Sequence, residues 1–294
     1  MTMTLTAPPS TAQCPVLVPR SGRFDMTSSI SGRTYRIFVF KPAAPPPPAG
    51  YRMVVACDGN LTFPLLATMA GAFALRGGRA ALVVGVGYPT DDPMQLISLR
   101  ARDLTPLPTG RMPRDSDSPD AYGGSEAFYR FLTEELRPAI ASAYPVDADD
   151  QTLYGHSWGG LFTLGVLFNH PESFRSYVAS SPSIWWDGRS VLGGEPDFAA
   201  QVCAGEAVPR VLISIGSCEQ EAPKTPLPGR TRQEMETMMR DARMVDNARE
   251  LAERLAQIDG GPGYQTVFHV FEGEDHLTAL AASIGRTLDF ALGA

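Results

Sequence analysis

The sequence has no excess of positive charge and no long hydrophobic run. Its 25 lysines and arginines are outnumbered by 32 acidic residues, which leaves a formal net charge of −7. Nucleic-acid-binding domains usually carry a basic face, so this balance argues against nucleic acid as a partner. No apolar stretch approaches the roughly 20 residues that a membrane-spanning helix needs. We therefore expect neither a nucleic-acid partner nor a membrane span.

Cysteine and histidine are also scarce, with four residues of each. The cysteines at positions 14, 57, 203 and 218 lack the paired spacing of a zinc or redox site, and there is no His-x-x-x-His pair. The sequence thus predicts no need for a metal or an organic cofactor. Residues 1–13 contain neither the basic residue nor the apolar stretch of a signal peptide. Together with the scattered thiols, this favours a cytoplasmic protein.

Short apolar runs alternate with helical segments along the chain. Residues 53–57 and 81–87 are apolar almost throughout, which is typical of strands buried on both faces of a parallel sheet. Further strands are predicted at 35–40, 151–154, 176–180, 211–215 and 266–271, and helices at 63–75, 125–144, 160–168, 233–257 and from 277 onward. Pro138 predicts a kink or break in its helix. The alternation indicates one α/β domain with a mostly parallel sheet covered on both faces.

The domain is expected to span residues 21–294, after a loosely ordered segment at 1–20. With 44% hydrophobic residues, the chain can form one sizeable core. Residues 89–124 form the longest stretch without a clear strand or helix. This stretch is too long for a simple connection, so we predict an irregular loop near the active site. The oligomeric state is not indicated.

Residues 155–159 (GHSWG) place Ser157 between a predicted strand and a predicted helix. Small residues on both sides permit a sharp turn that lifts the hydroxyl above the sheet edge, an arrangement called the nucleophile elbow. A serine becomes a good nucleophile when a histidine takes its proton and an acid orients that histidine. Ser157 is therefore the candidate nucleophile.

His276 is the candidate base among the four histidines. It follows the last predicted strand, and loops at the carboxyl ends of strands build the sites of α/β proteins. His156 lies within the elbow and is expected to point away from the side that Ser157 faces. His170 at a helix end and His269 within a strand are expected to have structural roles.

The acid is expected between Ser157 and His276, which is the chain order of α/β hydrolases. Glu219 and Glu221 follow the predicted strand at 211–215, and both qualify by position. Glu219 is preferred. The alternative for either glutamate is a solvated loop carboxylate.

The oxyanion of an acyl-transfer reaction needs backbone N–H donors, one of them from the residue after the nucleophile. That residue is Trp158. Asn60, after the strand 53–57 and beside Gly59, is the candidate second donor, although residues 58–60 could equally form a plain turn. Trp185 could line the substrate site or belong to the core.

In combination, several segments resemble the esterase-D-like family of α/β hydrolases, and within it the branch of siderophore esterases related to enterobactin and salmochelin esterases. The similarity covers roughly residues 30 to 290. It is carried by residues 57–60, 84–89, 100–106, 123–128, 155–162, 180–186 and 275–276.

The resemblance implies a serine esterase that acts on carboxylic esters, including cyclic tri-serine lactones that carry catecholates. The family's serine, histidine and acid correspond to Ser157, His276 and Glu219. Residues 215–219 match the family pattern less fully than the other segments do.

A ferric tris-catecholate is trianionic, and a net acidic enzyme would need local positive charge to bind it. Arginines 100, 102, 111 and 114 lie in the 89–124 segment together with aspartates 91, 92, 103, 115, 117 and 120. Arg100 is the candidate substrate contact. Structural arginine–aspartate pairing, for example of Arg102 with Asp103, is the alternative.

The sequence thus predicts hydrolysis of an ester or lactone bond, in a siderophore with or without iron, through an acyl-serine intermediate. The expected partner is a small-molecule ester, and iron would arrive only as part of it. A general carboxylesterase, a thioesterase and an acyltransferase of the same fold remain alternatives. A catalytically silent binding protein on a hydrolase scaffold is the alternative outside enzymes.

Overall fold

One eight-stranded sheet forms the centre of the molecule. The computed structural model describes residues 17–75, 80–110, 120–222 and 229–293. The strands are β1 Ser21–Thr27, β2 Thr34–Phe40, β3 Tyr51–Ala56, β4 Ala81–Gly87, β5 Val146–His156, β6 Ser176–Ser180, β7 Arg210–Gly216 and β8 Gln265–Phe271, in the order β1-β2-β4-β3-β5-β6-β7-β8. β2 pairs antiparallel with both β1 and β4, and all other pairs are parallel. The predicted α/β class with a mostly parallel sheet is confirmed.

Helices cover both faces of this sheet. They are α1 Gly59–Leu75, α2 Pro93–Leu104, α3 Ser125–Arg130, α4 Arg137–Ala143, α5 Trp158–Asn169, α6 Glu195–Cys203, α7 Arg232–Ala242, α8 Met244–Ala256 and α9 Thr278–Leu292, with a π-helix at Phe131–Leu136 and a 3₁₀-helix at Trp186–Gly194. Alternate residues of β3 enter opposite cores: Met53 packs on the side of α3, α5 and α8, and Val54 on the side of α1 and α9. In the described part of the chain, no helix is both long and apolar enough to cross a bilayer.

The segment at 89–124 differs from its prediction. Pro93–Leu104 form the helix α2, so the expectation of an irregular loop is wrong there. Asp92 caps this helix by accepting from the N–H groups of Met94 and Gln95, and proline is well suited to the first helical turn. Positions 111–119, which include two of the four arginines considered above, lie outside the described residues, as do residues 1–16 of the segment predicted to be loose.

Two long predicted helices are divided in the structure. The helix predicted at 125–144 consists of α3, the π-helix and α4, and Pro138 lies in the first turn of α4. A proline has no N–H to bond to the preceding turn, and the π-helix ends two residues before it; the junction residues Phe131 and Arg137 keep right-handed helical angles, so the chain stays helical there. The helix predicted at 233–257 is divided into α7 and α8 at Arg243, whose φ of 46° is left-handed.

Candidate active site

Ser157 lies in the tight turn between β5 and α5, with φ 61° and ψ −118°. Its neighbours must be small. A β-carbon at Gly155 would collide with the carbonyl of Gly159, and one at Gly160 would lie 2.8 Å from the carbonyl oxygen of Ser180. The turn therefore has the strained backbone of a nucleophile elbow, and its geometry explains the glycines of the sequence.

A hydrogen-bonded series joins Ser157 to two residues that are distant in sequence. His276 Nε2 lies 3.0 Å from Ser157 Oγ, and His276 Nδ1 lies 2.6 Å from Glu219 Oε2. Ser157 follows β5, Glu219 follows β7 and His276 follows β8, so all three stand at the carboxyl edge of the parallel sheet. This order and geometry are those of a serine–histidine–acid triad.

The Glu219 carboxylate is buried and anchored by further donors. Its Oε1 accepts from the backbone N–H of Gly216 at 2.7 Å and from the hydroxyl of Ser181 at 2.5 Å. Its other oxygen is left to His276. Glu221, which the sequence left as an alternative, is exposed on the same loop. The structure thus brings Glu219, and not Glu221, to the histidine, and Ser181 is a supporting residue that sequence reasoning did not single out.

Two helices begin beside the turn that holds Ser157. Trp158 is the first residue of α5 and Asn60 the second of α1, positions whose N–H groups have no carbonyl partner within their helix. Asp58, with φ 55°, turns the chain from β3 into α1. The Asn60 side chain binds the backbone of Tyr88 at 2.7 and 3.0 Å, which fixes the start of α1 to the end of β4. Both N–H groups have a chemistry suited to an oxyanion, and that role stays a prediction.

Arg100 on α2 is held by the loop that precedes Asn60. Its Nε and Nη2 each lie 2.8 Å from one carboxylate oxygen of Asp58, and its guanidinium lies 5.1 Å from the ring centroid of Trp158. The carboxylate of Asp58 neutralises the charge of Arg100. Arg100 therefore does not offer the unpaired positive charge that was expected of it as a substrate contact. The alternative of arginine–aspartate pairing holds with other partners than expected: Arg102 pairs with Asp120.

Aromatic rings continue from Trp158 toward the 3₁₀-helix. Trp186 is buried, with its ring 6.1 Å from that of Trp158 and 4.8 Å from that of Tyr122. Trp185 is 39% exposed. Of the tryptophan pair, one residue therefore belongs to the core and the other presents its ring to solvent. A substrate-binding role for Trp185 stays a prediction.

A scan against family models gives a match over residues 28–280 to the family described as "Putative esterase". The chain belongs to this family. As a member it is a carboxylic ester hydrolase, and the predicted family and enzyme class are confirmed.

Known relatives of this esterase cover most of its length. The Ferri-bacillibactin esterase BesA of Bacillus subtilis is 37% identical over 277 residues, which is 91% of this chain and 88% of the relative. The Siderophore triacetylfusarinine C esterase of Aspergillus fumigatus is 34% identical over 80% of each chain. The crystal structure of the BES protein from Bacillus cereus superimposes with a TM-score of 0.81 and 30% identity, over 96% of this chain and 99% of the other.

His156 does not point away from the site of this esterase, as the sequence reasoning expected. It is buried at the end of β5, and its ring centroid lies 4.8 Å from that of His276. Burial lowers the pKa of His156 well below its usual range, and the neighbouring His276 and Arg100 lower it further. The expectation failed because side-chain direction at a strand end depends on the loop packed over it, here the one that follows β8.

No group of three or more metal-binding side chains occurs within the described ranges. The reactive groups that the structure brings together are the hydroxyl of Ser157, the imidazole of His276 and the carboxylate of Glu219. This set can activate a nucleophile by moving a proton and requires no other group for that step.

Proposed function

We propose that this esterase hydrolyses an ester or lactone bond of a siderophore, with Ser157 as the nucleophile. The observation that carries the proposal is the series of hydrogen bonds from Ser157 Oγ through the His276 ring to Glu219 Oε2. The buried carboxylate fixes the orientation of the ring and stabilises the positive charge that the ring acquires during the reaction.

Acylation begins when Ser157 Oγ attacks the carbonyl carbon of the ester while its proton moves to His276 Nε2. The carbonyl oxygen becomes an anion, and the N–H groups of Trp158 and Asn60 bind it. The bond to the alcohol oxygen then breaks. His276 returns its proton to the departing alkoxide, which leaves as the alcohol, and the acyl group stays on Ser157.

Deacylation repeats these steps with water. His276 removes a proton from a water molecule as the water oxygen attacks the acyl carbon. The second tetrahedral intermediate collapses, the bond to Ser157 Oγ breaks, and the serine regains a proton from His276. The products are one carboxylic acid and one alcohol for each ester bond and each water consumed, and no metal or cofactor takes part in this scheme.

The siderophore substrate is inferred from the relatives, and the exposed ring of Trp185 supports it. Two relatives of this chain are named for the siderophore compounds on which they act. The exposed ring of Trp185 offers a flat apolar surface next to the aromatic cluster of Trp158 and Trp186, and such surfaces stack well on planar groups. Iron, where present, is part of the substrate.

Replacing Ser157 by alanine tests the reaction type. Ser157→Ala should lower kcat for an activated ester by roughly 10⁴- to 10⁶-fold while circular dichroism and Tm stay those of the parent protein. A fluorophosphonate should label the parent enzyme at Ser157 and leave the variant unlabelled. Undiminished turnover by the variant would refute the proposal, and absence of an adduct on the parent would favour a silent binding protein.

A substrate panel separates the proposal from related acyl chemistries. Cyclic tri-serine lactones carrying catecholates, with and without iron, are compared with hydroxamate ester siderophores, short acyl esters and acyl thioesters. We expect kcat/KM for at least one siderophore to exceed the value for the short esters. Higher values for thioesters or simple esters would instead assign a thioesterase or a general carboxylesterase, and transfer of the acyl group to an added alcohol would assign an acyltransferase.

We also infer that the protein works in the cytoplasm. Cys57, Cys203 and Cys218, the cysteines within the described residues, are free thiols, which is the usual state in a reducing compartment. Fractionation of the source cells should recover the protein with cytoplasmic markers, and recovery outside the cytoplasm would contradict the inference.

A further inference from the structure

The imidazole of His276 packs against a second imidazole, that of His156. His156 ends β5, and its ring lies 4.8 Å from the His276 ring, with an angle of 37° between the two planes. On its other side, His156 Nδ1 lies 3.2 Å from the hydroxyl of Ser180. One buried ring, itself bound to Ser180, therefore packs against the side chain of His276.

His276 needs such support because it lies on a loop and faces solvent. Its side chain is 47% exposed, whereas that of Glu219 is fully buried. The hydrogen bonds at Nδ1 and Nε2 set the orientation of the ring but do not restrain its two faces. Packing against His156 restrains the ring on one side.

The charge of His156 is compatible with this role. His156 is enclosed by protein, next to His276 and Arg100, and these surroundings disfavour a proton on its ring. The negative groups nearby are already engaged, Glu219 with His276 and Asp58 with Arg100. A neutral His156 does not repel the positive charge that His276 acquires when it takes the serine proton.

We propose that His156 is a positioning residue that holds His276 within reach of Ser157, through the packing of its Ser180-bound ring against the His276 ring. The inference rests on the proposed function, since His156 acts only through His276. It assigns a second role to the elbow sequence: the residue before the nucleophile supports the base.

Two variants of His156 test this role. His156→Leu keeps much of the buried volume but loses the planar ring and its hydrogen bond to Ser180, and a misplacement of His276 by about 1 Å can cost about 10²-fold in rate. We expect kcat for an activated ester to fall by roughly 10- to 100-fold with KM little changed. His156→Gln keeps a planar polar group that can still bond the hydroxyl of Ser180 and pack against His276, so it should recover a large part of the lost kcat.

Active-site titration separates a positioning effect from misfolding. A fluorophosphonate counts the sites that still react, and kcat is expressed per titrated site. His170→Leu is the matched control, because His170 stacks on Tyr129 at the other end of α5 and should leave kcat unchanged.

A wild-type kcat per site in His156→Leu, or a His156→Gln variant as slow as His156→Leu, overturns the inference. Ser157→Ala in the same experiment distinguishes a failure of the proposed function from a failure of the role of His156. If Ser157→Ala retains activity, the proposed function fails. If Ser157→Ala is inactive and His156→Leu is fully active, only the role of His156 fails.

Discussion

His276 Nδ1 and Glu219 Oε2 lie 2.6 Å apart, with the carboxylate fully buried and the imidazole half exposed. A short hydrogen bond from an imidazole to an ionised carboxylate is stronger than one between neutral groups. The remaining carboxylate oxygen is bound by Gly216 and Ser181. The acid is therefore fixed within the protein, and the histidine takes its orientation from it.

Removing the charge of this acid should slow the reaction and leave binding intact. In Glu219→Gln we expect kcat for an activated ester to fall by roughly 10³- to 10⁴-fold, because an amide does not select the required tautomer of His276 or stabilise its charged form. Steady-state kinetics measures the effect. Glu221→Gln is the matched control from the same loop and should keep the parent kcat; a loss confined to Glu221→Gln would reverse the assignment.

Breaking the ion pair of Arg100 with Asp58 should destabilise the loop before Asn60. Arg100→Leu leaves a largely buried carboxylate without its partner, and such losses cost about 3–5 kcal/mol. Urea denaturation should show the lower free energy of unfolding. The double variant Arg100→Leu/Asp58→Asn should recover part of it, since no unpaired charge remains. If Asp58→Asn lowers the free energy of unfolding by the same amount in the parent protein and in Arg100→Leu, the two side chains do not stabilise the fold as a pair.

Trp185 should affect substrate binding and not the chemical step. Trp185→Ala removes an exposed ring that contacts Trp186 at 6.2 Å between centroids. We expect KM for a siderophore ester that carries aromatic groups to rise by roughly 10-fold, since stacking and buried area contribute about 1–2 kcal/mol. Turnover of a short acyl ester should be unchanged. Equal losses on both substrates would argue against a binding role for this ring.

The stability of the protein should depend on pH through Asp103. Burial raises the pKa of this carboxyl from 3.8 to about 6, although Arg33 and the hydroxyls of Tyr35 and Tyr88 favour its charged form. Between these two values the folded state binds more protons than the unfolded state. This group therefore lowers the free energy of unfolding as pH rises from about 4 to about 6, by about 2 kcal/mol.

The variant Asp103→Asn isolates that contribution. Its free energy of unfolding, relative to that of the parent protein, should increase by about 2 kcal/mol between pH 4 and pH 7, because only the parent has a carboxyl to ionise. Chemical denaturation at a series of pH values gives this difference directly. A difference that stays constant over the range would mean that Asp103 ionises equally easily in the folded and unfolded states.

The sheet and the residues that meet at its carboxyl edge could be predicted because their signals are local. Continuous apolar runs such as 81–87 correspond to strands buried on both faces, and β4 is buried at every position. The position of Ser157 between a strand and a helix follows from its neighbours. Few histidines and acids lie at the carboxyl ends of strands, so the candidates for the base and the acid are His276 and two glutamates.

Features that depend on contacts between distant segments could not be predicted in the same way. β1 has mostly exposed residues at the edge of the sheet and is defined by its pairing with β2, so it lacks an apolar pattern. The choice between Glu219 and Glu221 depends on which one the loop turns inward. The pairing of Arg100 with Asp58 exists because α2 places the arginine over the loop after β3, which no pattern around either residue shows.

The position of the triad residues after three different strands also links activity to folding. Each residue joins the site only when the strand before it has paired within the sheet. These pairings bring together segments that are far apart in the chain. Contacts of that kind form slowly in folding proteins. In a refolding experiment, labelling by a fluorophosphonate should therefore appear only with the last stages of chain assembly, later than the far-ultraviolet signal of the helices. Labelling of Ser157 would then report that the whole fold is complete.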